Sequence, residues 1–155
     1  MTRLITEPVL LNSPRTYASA FDVKPNEPLI RQVMAFIDTN RDRWDQDRYL
    51  DVGDCGMVGC FAGWALLITE YGERLPLALA DDPREIMREV RQASSRASIV
   101  VRLGLDPDQF NAIYDFVVVH DEQDGELRHP TFEELVDLVA RVTGVRYQRG
   151  EGATT

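Results

Sequence analysis

Two cysteines, two histidines and a single lysine, Lys24, are all that this 155-residue chain holds of three chemically versatile side chains. Each shortage removes a class of protein. Two cysteines without an export signal cannot staple a small secreted fold, and thiols are the expected state. From Met1 to Asn12 there is one arginine, and the apolar patches are broken by Thr6, Glu7 and Pro8. No signal h-region or transit peptide is therefore expected, and a cytoplasmic location is. The longest uncharged stretch, Cys55 to Thr69, is flanked by Asp54 and Glu70. It falls short of the ~20 residues that cross a bilayer, so no membrane association is expected. Positive charge is also scarce: 17 basic against 26 acidic residues give a net charge of -9. Such a balance repels phosphate backbones and anionic lipid, which disfavours direct nucleic-acid binding. A Walker loop, a dinucleotide fingerprint, a nucleophile elbow and a His-Glu-x-x-His helix are all missing, and no cofactor is assigned.

What is present reads as a mainly α, single compact domain of five or six helices around a central small-residue-rich helix. With 44% hydrophobic residues, one core of useful size is available. Pro8, Pro14 and Pro25 mark residues 1–26 as an irregular N-terminal arm, residues 27–145 form the helical domain, and 146–155 read as a disordered polar tail. Asn26 as cap and Pro28 in the first turn open a helix over 27–39, with apolar residues at helical spacing. Asn40 to Gly53 reads as a polar connector anchored by Trp44 and Tyr49. Helix two is expected from Val58 to Tyr71, with Gly59 and Gly63 one turn apart so that a neighbouring backbone can approach closely. A Leu/Pro/Ala connector follows.

Three start signals punctuate the second half. Asp82-Pro83-x-Glu85 and Asp106-Pro107-x-Gln109 each pair a capping acid with a first-turn proline, and Thr131-x-x-Glu134 is a capping box. Between Ala93 and Ser98 the first of these helices weakens, giving one long helix or two short ones ending at Gly104. Val117-Val118-Val119 fits either a short strand or a continued helix.

Cys55 falls at the predicted start of helix two, where the helix dipole and free N–H groups favour a thiolate. Asp54-Cys55-Gly56-Met57-Val58 superficially resembles the cysteine helix of papain-like and cell-wall peptidases, and His120 and His129 follow in the matching order. Those folds carry the histidine on a β-sheet, whereas this half reads as helical. Cys55, Cys60, His120 and His129 also equal a tetrahedral zinc set in number. Four residues separate the cysteines and eight the histidines, and the histidine spacing is not that of common structural sites. The sulfurs are therefore expected to fill core space; a thiol- or zinc-dependent enzyme using Cys55 with His120 or His129 is the alternative. In a calcium-loop register, His120 would stand first and Thr131 last, leaving out the opening Asp and the closing Glu. Trp44 and Trp64 read as core residues.

Arg43-Trp44-Asp45-Gln46, then Cys55-Gly56-x-x-x-Cys60-x-Ala62-Gly63-Trp64-Ala65, then Leu103-Gly104-Leu105 and Phe110 before a terminal amphipathic helix, resemble a family of small uncharacterised proteins from actinobacteria and their phages. The similarity runs from about Leu29 to Val142. It implies an origin and a recurring helical domain, and transfers no site. The resulting expectation is a non-enzymatic acidic interaction or regulatory protein with a protein partner. The face expected to carry it joins Asp42, Asp45 and Asp47 of the connector to Asp121, Glu122 and Asp124.

Overall fold

The computed structural model describes residues 24–149 apart from 54–55, 81, 94–95, 121–122 and 124; the side chains of 92–93, 96–97 and 120 are also outside the description. The described chain is mostly helical and packs around one central helix.

Helix α1 spans Glu27–Thr39. Its cap is the one read from the sequence: Asn26 Oδ1 accepts from the Leu29 N–H at 3.2 Å, with Pro28 in the first turn. Leu29, Ile30, Val33, Met34 and Ile37 form the buried stripe, and that periodicity is what fixes the helix against the core. Asn26 also holds the end of a distant helix, its N–H donating to Leu103 O at 2.8 Å and its amide to Arg102 O at 3.0 Å. The join is tight. Gly104 sits at φ +69°, and a Cβ there would fall 2.1 Å from Lys24 O.

A 3-10 turn, Arg41–Arg43, leads into a hairpin of β1 (Leu50–Gly53) and β2 (Gly56–Gly59), paired antiparallel with Leu50 opposite Gly59 and Val52 opposite Met57. This corrects the sequence reading at two places. The end of the polar connector is a strand, and Val58 and Gly59 belong to β2 and not to helix two. Gly59 lies against Leu50 and the Tyr49 carbonyl, a backbone-to-backbone approach that glycine permits in a strand as readily as in a helix.

Helix α2 spans Phe61–Tyr71, with Cys60 extended before it and Gly72 after it. Phe61 through Ile68 are all buried, as expected of a helix that is apolar all round. Gly63 makes the close approach its position suggested, although the visitor is the start of β1. A Cβ on Gly63 would stand 1.8 Å from Tyr49 O. Helices α1, α3, α5 and α6 pack on α2, where α3 is Leu75–Ala80, α4 Pro83–Ala93, α5 Arg96–Leu103, α6 Pro107–Tyr114 and α7 Phe132–Thr143. The Leu/Pro/Ala connector is thus helical in α3. Pro76 is in its first turn, where proline's missing N–H has no helical partner to lose.

Of the two alternatives at Ala93 to Ser98, the structure takes two helices, α4 and α5. Asp106 and Thr131 form reciprocal capping boxes with Gln109 and Glu134 at the starts of α6 and α7. The chain leaves α6 at Asp115, and Val119–His120 pairs as β3 with β4, Leu127–Arg128. The start of the polar tail is docked: Tyr147 is buried, its ring meeting Phe132 edge-on at 5.8 Å and its hydroxyl donating to Asp38 at 2.8 Å. The rest of the expected tail, 150–155, lies outside the described residues, as does the arm up to residue 23.

Candidate functional site

The connector between α1 and β1 is held from its inner side by a small set of polar bonds. Gln46 is 4% exposed. Its Oε1 accepts from the Trp44 indole at 2.9 Å and from the Phe61 N–H at 3.1 Å, while its Nε2 donates to Ile113 O at 2.9 Å. One amide therefore caps α2, orients Trp44 and ties both to the end of α6, satisfying groups that are costly to leave bare. Trp64, fully buried, donates to Arg43 O at 2.9 Å. Trp44 is half-buried and meets Phe132 edge-on at 6.3 Å. Both tryptophans are structural anchors, as expected.

On the outer side stand Asp42, Asp45 and Asp47. Asp42 and Asp47 are exposed and have no ion pair among the described residues. Asp45 is tied down: Oδ1 accepts from the Asp47 N–H at 3.0 Å, and Oδ2 lies 3.3 Å from Arg48, which reaches Asp51 at 3.5 Å. The other half of the expected face, Asp121, Glu122 and Asp124, lies outside the described residues. The structure thus brings together the connector acids only.

A second polar cluster went unnoticed in the sequence because its members come from two distant segments. Asp38 receives Arg41 at 2.7 Å and Tyr147 at 2.8 Å, with Arg149 at 3.5 Å. Burial pushes this carboxyl up, but those hydrogen bonds and positive charges outweigh it and hold it below its ordinary range. The Arg41 guanidinium also lies 4.1 Å from the centre of the Phe132 ring, a cation–π contact.

The cysteine and histidine candidates separate. Cys60 is 1% exposed, and burial pushes its thiol up to about 11. It fills core space as expected, and a thiol so protonated is a poor nucleophile or ligand at neutral pH. Cys55 lies outside the described residues, as does the side chain of His120, whose backbone belongs to β3. His129 is exposed after β4. Among the described residues no three His, Cys, Asp or Glu side chains gather where they could hold a metal ion, and no helix is long and apolar enough to cross a membrane. No family model, curated protein or solved structure matches the chain.

Proposed function

We propose that the chain is a non-enzymatic interaction protein of regulatory type that binds a basic surface of another protein, in a phage or host setting of the kind its family resemblance implies. The observation that carries this reading is the connector: uncompensated carboxylates at Asp42 and Asp47 on a segment held rigid by Gln46 and the two tryptophans. Carboxylates fixed in place before binding lose less freedom on association than mobile ones. The sealed state of Cys60 supports a binding role over the four-ligand zinc alternative, because that site needs Cys60 as a thiolate.

Affinity capture from a native host, followed by titration of the captured partner against D42N/D47N, tests the reading. Exposed charges are screened by salt, so binding should weaken as salt rises and weaken at least tenfold in the double variant. Capture that is indifferent to both salt and the two substitutions would reject the acidic face as the interface.

A further inference from the structure

Against the chain's overall negative charge, one face of α4 concentrates arginine. Arg84, Arg88 and Arg91 are spaced four and three residues apart, which places them along a single helical stripe. All three are exposed. They line a groove of about 430 Å³ whose remaining walls are Met87 of α4 and Asp51 and Val52 of β1. Arg88 pairs with Glu85, whereas Arg84 and Arg91 have no ion pair among the described residues. Val52 is 40% exposed and Met87 half-buried, so the lining carries a small apolar patch beside the charges. The carboxylate in the wall is already balanced: Asp51 Oδ2 faces Arg48 at 3.5 Å.

From this arrangement we infer that the groove between α4 and β1 binds a compact phosphorylated small molecule. Its phosphate is shared by Arg84 and Arg91, its body covers Met87 and Val52, and a hydroxyl on that body donates to Asp51. Three features select this class. Guanidinium forks match oxyanions bidentately, and a phosphate offers enough acceptor oxygens for two forks, whereas the carboxylate of Glu85 occupies Arg88 alone. The groove is open to solvent, and its volume of about 430 Å³ leaves room for a compact molecule. Finally, a net charge of -9 opposes a long polyanion laid across the surface, while a compact ligand stays within reach of the arginines. The site shares no residue with Asp42 or Asp47, so it stands or falls separately from the protein-binding reading.

Calorimetric titration of the full chain with adenosine monophosphate, citrate and a short single-stranded DNA tests the inference. Adenosine monophosphate should bind saturably at one site per chain, at least tenfold more weakly in R84A/R91A and unchanged in R146A, which removes an exposed arginine elsewhere. R84K/R91K keeps the charge without the fork and should lose several-fold. Unaltered circular dichroism of the variants will show that folding is intact. The inference is overturned by absent saturation in the wild type, by equal affinity in R84A/R91A, or by citrate binding as well as the nucleotide. It is equally overturned if the lysine pair matches wild type, or if the DNA binds more tightly than the nucleotide and loses affinity in R84A/R91A, which would mark a nucleic-acid surface.

Discussion

Replacing Gly63 by alanine sets two effects of opposite sign against each other in the middle of the fold. On helix propensity alone the substitution should stabilise α2 by about 1 kcal/mol. The new methyl, however, would lie 1.8 Å from Tyr49 O and 2.9 Å from Leu50 Cγ, so the start of β1 must retreat by more than an ångström. Overpacking of this kind costs about 1–3 kcal/mol. The retreat also breaks the 3.3 Å bond from the Cys60 N–H to Tyr49 O, worth about 1 kcal/mol where no water can replace it. We therefore expect a net loss of about 1–3 kcal/mol, measured by urea denaturation with tryptophan fluorescence as the signal, since Trp64 is buried one residue away. Gly72→Ala is the control. Its φ of +55° is strained for alanine, about 1–3 kcal/mol, yet a Cβ there meets nothing within 4 Å, so its loss should be local and leave the Cys60–Tyr49 bond intact, as amide exchange at Cys60 would show. A Gly63→Ala chain as stable as wild type, or more so, would mean that the Tyr49 carbonyl does not rest on α2.

Three further outcomes are expected. Gln46→Leu strands the Trp44 indole, the Phe61 N–H and the Ile113 carbonyl together, so it should cost about 2–4 kcal/mol, read as a lowered thermal midpoint; a loss below 1 kcal/mol would deny Gln46 its linking role. In a C55S chain, native Cys60 should react with a thiol reagent at pH 8 at least a hundredfold more slowly than the unfolded chain, because it is buried with its thiol pushed up to about 11; comparable rates would refute that burial. Hydrogen bonds from Arg128 and the Thr131 N–H hold the Glu134 carboxyl at about 2, below its ordinary 4.5. Its stabilisation is thus complete above pH 4.5 and lost as pH falls through 2. Because the pair is partly exposed, Glu134→Gln should remove only about 1 kcal/mol at pH 7, and the difference from wild type should vanish near pH 2. A difference that grew on acidification would contradict the sign.

The parts of the fold legible in the sequence are those written within a few residues. Asn26, Asp106 and Thr131 bond to N–H groups three positions on, so their caps can be read without knowing any other element. The β1–β2 hairpin could not be read that way. Gly56-Met57-Val58-Gly59 has neither strict alternation nor a helical stripe, and its strand character depends on pairing with Leu50–Gly53 and on the positive φ of Gly56, +103°. Proline concealed α3 for a related reason, since Pro76 breaks a helix anywhere but in its first turn. In the candidate site, Asp42 and Asp47 were legible as exposed acids. The neutralising of Asp45 and Asp51 by Arg48 is a matter of geometry, and Gln46 looked like one more polar residue of the connector until its bonds to Phe61 and Ile113 placed it inside.

Helix α1 is gripped from both directions along the chain: Asn26 bonds to the last turn of α5, Arg31 donates to Arg146 O at 3.0 Å, and Asp38 takes the hydroxyl of Tyr147. Such a clasp ties the fraying of this helix to the last described residues. Its amides should exchange with solvent only when the whole domain opens, so a helix made early in synthesis becomes kinetically secure only after residue 147 has been added.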